Sequence, residues 1–410
     1  MTTTPQKPPR VGVFGLLGSG NLGNDGSLEA VLGYLRADHP DAAVDALCGG
    51  PEAVTARFGI PATRLHWNRA EYRTASRAGS VAAKGLGKLV DVFRTAAWVR
   101  KHDVVIVPGM GVLEATLPLR PWGFPYSLFL LCASGRLQRT PVALVGVGAA
   151  EIRNRPTRAL VRWSARCAAY RSYRDTPSRD AMRAMGVDTS RDEVYPDLAF
   201  SLPAPRASAP TGATGTVCLG VMDFHGGNDD RARADEIHRR YLDGTIRFVR
   251  TLTDEGRAVR LLTGDRCDET VVAAILDAVD SPLVTAAEPA SLADLMDEMA
   301  AADTVVAVRY HNLICAVKTG TPVLALCYAT KSEALMERMG LGAYCHPARE
   351  VDADRLLEQF RALEKRSAEL RETLVESNRT AARQLADQFT ALTTTLFPAN
   401  THAQAQRETA

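Results

Sequence analysis

The sequence predicts an α/β protein made of two Rossmann-like, doubly wound domains facing across a cleft. Three observations lead there. Short β-branched runs bounded by glycine or proline alternate with helix-patterned stretches, the pattern of parallel strands joined by helices. The alternation stops at SLPAPRASAPTGATG (201–215), rich in Pro, Ala, Ser and Gly, and then restarts. At 410 residues the chain also exceeds one ordinary core.

Taken in order, residues 1–9 are polar, contain prolines and are expected to be a disordered tail. The N-terminal domain, 10–202, opens with the strand VGVFG (11–15) and continues with AVDAL (43–47), DVVIVPG (103–109) and PVALVGVG (141–148). The helix SLEAVLGYLR (27–36) places Leu28, Val31, Leu32 and Leu35 on one face. The apolar PWGFPYSLFLLCA (121–133) reads as a core helix. Thr176 as N-cap with Pro177 at the first helical position starts another, and EVYPDLAF (193–200) is strand-like. Residues 203–215 form a linker. In the C-terminal domain, 216–350, the strands are TVCLGVM (216–222), AVRLLTG (258–264), TVVAVRYH (304–311) and PVLALCY (322–328). Residues 237–256 and 291–302 are helical. A helical segment, 351–396, buries a stripe of Leu356, Leu357, Phe360 and Leu363, and 397–410 is a second disordered tail.

The formal net charge of +2 gives no support to nucleic acid as a partner. Eight cysteines are scattered through apolar contexts without a C-x-x-C pair or a His/Cys cluster of zinc spacing. They are expected to be reduced thiols of a cytoplasmic protein that binds no metal. No run approaches the roughly 20 apolar residues of a membrane span, and the start lacks an apolar signal core.

Gly18-Ser19-Gly20-Asn21-Leu22-Gly23 is a literal G-x-G-x-x-G behind the first strand. A dinucleotide site also needs the third glycine inside the first helical turn and an acid ending the second strand. Here Asn24-Asp25-Gly26 are poor helix formers, so the helix is expected to begin near Gly26-Ser27, with Asp25 repelling a pyrophosphate at its mouth. Asp45, inside its strand, is a weak ribose acid. The loop instead offers Gly20 as flexible backbone, with Asn21 and Asp25 at a ligand-binding sheet edge. Asn21 would orient a hydroxyl and Asp25 take its proton, unless Asp25 only caps the helix.

The second constellation is TVVAVRYHNLICAVKTGTPVLALCY (304–328). If the strand persists, Arg309 and His311 share a face, and HNLICAVKTG forms a short helix ended by Gly320. A guanidinium, an imidazole and a helix N-terminus carrying Asn312 together define an anion site. His311 can also deliver a proton near neutral pH. Lys331 is either a second cation there or a solvated lysine. Asp197 caps a turn or serves the site, and Glu114, Asp223 and His225 are placed by the topology toward the cleft.

These motifs resemble the polysaccharide pyruvyl transferase family. Its members pair an N-terminal loop close to G-x-N-x-G-D with a late R-x-H, a-x-x-x-G-x-P and Y-x-x-K; this chain has GSGNLGNDGS and RYHNLICAVKTGTPVLALCYATK. Arg174-Asp175-Thr176-Pro177-Ser178, with MGV and PDLAF behind it, is similar to the family's R-[DE]-x-x-S…G…D segment. The likeness runs from Val11 to about Gly342. Gly109-Met110-Gly111 departs from the three glycines of many members, and the first loop carries an extra Asn-Asp-Gly turn.

The resemblance implies a GT-B-like fold and transfer of a pyruvyl group from phosphoenolpyruvate to two hydroxyls of a sugar, forming a cyclic ketal and releasing phosphate. Arg309, His311, Arg174, Lys331 and Asn312 would bind the donor; Gly20, Asn21, Asp25, Gly109, Gly111 and Glu114 would bind the acceptor. His311 would act as acid, Asp25 as base, and no metal or nucleotide cofactor is needed. Two alternatives stand beside this: a nucleotide-sugar glycosyltransferase of the same architecture, with only Glu333 near the place of a ribose acid, and a non-catalytic saccharide-binding protein. Between Arg73 and Lys101, seven basic residues (Arg73, Arg77, Lys84, Lys88, Arg94, Arg100, Lys101) stand against Asp91 alone. Val81, Leu86, Leu89, Val90 and Phe93 lie opposite, so this helix either covers the core or touches the inner membrane face near a lipid-linked acceptor.

Overall fold

The computed structural model describes residues 8–67, 77–114, 121–205 and 215–397, and of the side chains of 77–84 and Asn228 nothing is said. Residues 1–7 and 398–410 of the expected disordered tails and most of the linker lie outside the described residues, as does Arg73, whereas Phe397, assigned to the second tail, is buried and stacks on His39.

The chain divides into two compact units. The first holds a seven-stranded, all-parallel sheet. Its elements run β1 (Arg10–Gly15), α1 (Leu22–Asp38), β2 (Ala43–Cys48), α2 (Pro51–Phe58), β3 (Ala62–Arg64), α3 (Arg77–Val99), β4 (Val104–Pro108) and α4 (Phe124–Gln138). They continue with β5 (Val142–Val147), α5 (Arg155–Cys167), β6 (Tyr170–Tyr173), α6 (Thr176–Ala184) and β7 (Glu193–Val194). The order is β3-β2-β1-β4-β5-β6-β7, so the strand order reverses between β1 and β4. Helices on the faces explain why β4 and β5 are apolar throughout: Val104–Pro108 and Val142–Val147 are buried at every residue. Residues Phe124, Leu128, Leu131 and Cys132 of α4 pack into the same core, as its composition predicts.

The second unit repeats the plan with six parallel strands: β8 (Val217–Gly220), α7 (Ala234–Asp254), β9 (Val259–Leu262), α8 (Glu269–Val279), β10 (Val284–Ala287) and α9 (Leu292–Ala300). Then follow β11 (Thr304–Ala307), α10 (Tyr310–Thr319), β12 (Val323–Cys327), α11 (Thr330–Arg338), β13 (Cys345–Pro347), α12 (Ala353–Lys365) and α13 (Ser367–Leu396). The order is β10-β9-β8-β11-β12-β13, with the reversal between β8 and β11. Leu356, Leu357, Phe360 and Leu363 are buried on α12, as their spacing predicts.

Several boundaries differ from those read in the sequence. Helix α1 starts at Leu22, five residues early, because the Asn21 side-chain oxygen accepts from the Asn24 backbone N–H at 3.2 Å and caps it. Asp175, not Thr176, caps α6: its carboxylate accepts from Ser178 N at 2.7 Å. Only Glu193–Val194 of EVYPDLAF is strand, and Leu198–Ser201 winds into a single 3₁₀ turn. The loop Gly20–Gly26, read as part of the first domain, belongs by its contacts to the second unit, while residues from Ala386 onward belong to the first.

Candidate functional site

In the second unit the strand-to-helix turns at the carboxyl edge of the sheet gather most of the chemistry. The β11 strand ends at Ala307, so Arg309 and His311 do not share an extended face. Arg309 instead precedes α10 at φ −64°, ψ 134°, and its carbonyl accepts the first helical bond, from Leu313 N at 3.0 Å. His311 therefore stands in the first turn of α10. No side chain caps α10, and none caps α11, whose first turn carries Lys331; both N-termini keep their positive dipole ends. Lys331 Nζ lies 5.7 Å from the Tyr310 ring centre and 5.3 Å from that of Tyr328, tying the two turns together.

Arg309 is held by a residue that sequence reasoning missed. Asp268 takes two parallel bonds from it, Nε to Oδ2 at 2.7 Å and Nη2 to Oδ1 at 2.6 Å. Burial on its own would lower the arginine's pKa, but the Asp268 hydrogen bonds and charge more than offset it and hold the guanidinium above its ordinary value. Asp268 is fully buried and also accepts from the backbone of Asp223 (2.9 Å), Gly264 (3.2 Å) and Asp265 (3.0 Å). It thereby pins the loops after β8, β9 and β11 around the switch point. The sequence carried a signal for it: DRCD (265–268) stands directly behind a strand. Cys267 adds its sulfur 3.1 Å from Arg309 Nη2, and burial pushes that thiol up to about 11, away from the thiolate.

The glycine loop belongs to this site. Asn21 Nδ2 donates to Asp265 Oδ2 at 2.9 Å, and Leu22 N donates to Gly264 O at 3.2 Å. A Cβ on Gly23 would fall 1.9 Å from His311 Nδ1. Gly23 is therefore required by an imidazole packed on its backbone, not by a pyrophosphate. Asp45 is equally remote from ribose chemistry, since it accepts from Trp98 Nε1 (2.7 Å) and pairs with His102 Nε2 (2.9 Å) inside the first unit. Asp25 lies buried in the first turn of α1, and Gly20 leads into it at φ 93°. Asn312 is wholly buried, and neither its Oδ1 nor its Nδ2 has a hydrogen-bond partner among the described residues. Such an unmet amide at a helix start is uncommon in folded proteins.

The remaining candidates fall in the first unit. Arg174 is buried and paired with Glu114, with Asp175 at 3.6 Å and Asp197 at 3.5 Å. Arg174, expected with the donor-binding cations, thus shares a unit with Glu114, Gly109 and Gly111 rather than with Arg309. Three carboxylates fix its side chain, which is why Asp197 is a buried ion-pair partner. Gly109 and Met110 both have positive φ, 38° and 63°. The left-handed turn suits glycine, and Met110 occupies it at a cost of roughly 1 kcal/mol.

Asp223, His225 and His238 group their ligand atoms within 4.8 Å of one another. His225 Nε2 pairs with Asp223 Oδ1 at 2.9 Å, and the two imidazoles stack in nearly parallel planes, 4.2 Å apart and tilted by 6°. No helix among the described residues is long and apolar enough to cross a membrane.

This combination, two parallel α/β units each with its polar residues at strand carboxyl ends, defines a GT-B-like fold. The UDP-GlcNAc 2-epimerase of Neisseria meningitidis, bound to UDP-GlcNAc, is similar over 95% of this chain and 99% of its own (TM-score 0.59, 12% identity). Anabaena HepE in complex with UDP and glucose is similar over 93% and 99% (TM-score 0.54, 12% identity). The lipopolysaccharide outer core galactosyltransferase WaaB is similar over 95% and 99% (TM-score 0.56, 11% identity). At such identities the likeness is one of fold. No curated protein matches the chain. The sequence model of the polysaccharide pyruvyl transferase family matches residues 21–329, and the chain belongs to that family.

Proposed function

We propose that the protein transfers the pyruvyl group of phosphoenolpyruvate to two hydroxyls of a sugar or glycan, closing a cyclic ketal and releasing phosphate. One observation carries this reading beyond the family match. Arg309, His311, Lys331 and two helix N-termini without side-chain caps surround the ends of β11 and β12 in a single unit. Asp268 offsets the charge of Arg309, but the N–H donors that the arginine, Lys331 and the two helix N-termini bring together match a small ligand with both a carboxylate and a phosphate.

His311 protonates the methylene carbon, leaving an oxocarbenium-like C2. The first sugar hydroxyl adds there as its proton passes to a base, for which Asp25 is the candidate. Phosphate departs with the C–O bonding pair. The second hydroxyl adds to the same carbon, losing its own proton, and the ring closes. Asp268 keeps Arg309 in one rotamer, so the cation meets its anion without an ordering cost at binding.

The test is incubation of the protein with phosphoenolpyruvate and a panel of glycans, following phosphate release and the mass of each glycan. The expected outcome is stoichiometric phosphate and a mass gain of one pyruvyl ketal. His311→Gln should lose on the order of 10²-fold or more in kcat while binding phosphoenolpyruvate within a few-fold. Turnover of a UDP-sugar with release of UDP would identify a glycosyltransferase instead, and glycan binding with no turnover of either donor would identify a binding protein.

A further inference from the structure

The most unusual surface of the protein is in the first unit, along α3. Leu86, Leu89 and Phe93 are 56%, 61% and 74% exposed, although the helix is long and amphipathic. Their spacing of three and four residues puts them on one stripe, which Ala97 extends outward. The stripe of Leu86, Leu89 and Phe93 therefore points away from the core, which the same helix meets through Trp98 and Val99. Trp67 and Trp122 are exposed beside it: the Trp67 backbone N–H donates to Asp91 Oδ1 at 2.8 Å, and Trp122 meets the Tyr126 ring, over which Lys88 Nζ lies at 5.6 Å. Five of the nine large apolar side chains exposed among the described residues thus gather on or beside one helix.

The charge around the stripe is mostly basic. Asp91, the single acid of 73–101, is nearly buried and engaged by Lys88 at 3.9 Å and Arg94 at 3.4 Å. Past the end of α3, the exposed side chains of Arg10, Arg100 and Lys101, against the single exposed acid Asp103, line an open depression of about 1090 Å³, with Ala96 and Ala97 on its wall. An apolar ridge with flanking tryptophans therefore runs directly into a basic hollow. A protein partner would need to match the ridge and bring acids to the hollow; an anionic phospholipid surface supplies both at once.

We infer that α3 is an interfacial anchor: Leu86, Leu89 and Phe93 enter the acyl boundary of an anionic bilayer, and Arg10, Arg100 and Lys101 take its headgroup phosphates. This goes beyond the transfer reaction and does not depend on it. Hydrophobic ridge and basic hollow make separable contributions, the first insensitive to salt and the second screened by it.

The experiment is co-sedimentation of the full chain with vesicles of phosphatidylcholine alone and of phosphatidylcholine with 30% phosphatidylglycerol (roughly the charge of an anionic leaflet). Binding is expected only to the anionic vesicles, with a blue shift of tryptophan emission. Leu89→Ser/Phe93→Ser should weaken it on the order of tenfold or more even at low salt. Arg100→Glu/Lys101→Glu should abolish the preference for anionic lipid. All four positions are exposed, so both variants should melt with the wild type, and thermal denaturation verifies this. Equal binding to neutral vesicles, no binding, or unaltered binding by both variants overturns the inference. So does a wild-type dimer that Leu89→Ser/Phe93→Ser turns into a monomer in the absence of lipid binding, which would assign the ridge to a second copy of the chain.

Discussion

Gly23 shows what one missing methyl group decides. It lies inside α1, where glycine is the poorer helix former by about 1 kcal/mol, so local propensity favours alanine. The imidazole of His311 occupies the place of that methyl. Gly23→Ala should therefore keep the fold but rotate His311 away, lowering kcat on the order of 10²-fold, comparable with loss of the imidazole itself. Gly33 of the same helix provides the control, since a Cβ there meets nothing within 4 Å. Gly33→Ala should leave turnover intact and add about 0.5–1 kcal/mol in urea denaturation. Equal activity of the two variants would dismiss the imidazole-packing role. At this scale the sequence drew attention to the loop and concealed what packs on it. The late helix start read from Gly23-Asn24-Asp25-Gly26 does not hold, since Gly23 lies in the first turn of α1, and the partner that requires Gly23 lies 288 positions away in the chain, where no local pattern reports it.

Among the elements, the decisive ones are the turns that follow β8, β9 and β11. Each strand was legible as a buried β-branched run. The turn that organises them was not, because Asp268 works through five bonds to groups on three different loops. Its two oxygens face only donors: Arg309 Nη2 and Asp223 N on one, Arg309 Nε, Gly264 N and Asp265 N on the other. An asparagine would turn an NH2 toward at least two of them and leave the guanidinium without its counter-charge. Asp268→Asn should consequently cost about 3–5 kcal/mol, near the measured range for breaking a buried ion pair. A shift in the urea midpoint at constant m-value is the measurement; a cost under 1 kcal/mol would mean that water replaces the carboxylate. The same turn explains the departure at Arg309. The sequence reads TVVAVRYH as one extended run, but an uncapped helix begins at Tyr310, and local propensity is indifferent between the two.

For the whole molecule, the repeated Rossmann-like plan was plain from the alternation and its interruption at 201–215, while the exchange of short segments between units was not. Residues 20–26 and 386–397 belong by their contacts to the other unit, and those contacts are far apart in sequence. Each unit also keeps a histidine neutral, and this sets how the protein responds to acid. In the first, burial lowers the pKa of His39, which bonds Tyr34 Oη at 3.1 Å and stacks on Phe397. In the second, burial lowers that of His346 despite its bond to Gln359 Oε1 at 2.7 Å; Asp352 N donates to its other nitrogen, so the ring is held as the neutral Nδ1–H tautomer. A histidine with a depressed folded pKa binds its proton more readily in the unfolded chain, so stability rises with pH through the ordinary value near 6.5 and falls below it. Both units should lose stability between pH 7.5 and pH 5.5. A further loss should follow when Asp45 and Asp91, held below the ordinary carboxylate range by their partners against the opposing effect of burial, take up protons. Calorimetric melts across that range check the first step. His346→Gln preserves a donor for Gln359 and an acceptor for Asp352 but cannot titrate, so it should flatten the second unit's share of the slope. If the variant keeps the wild-type slope, the acid sensitivity originates elsewhere, and the buried neutral imidazole is not its source.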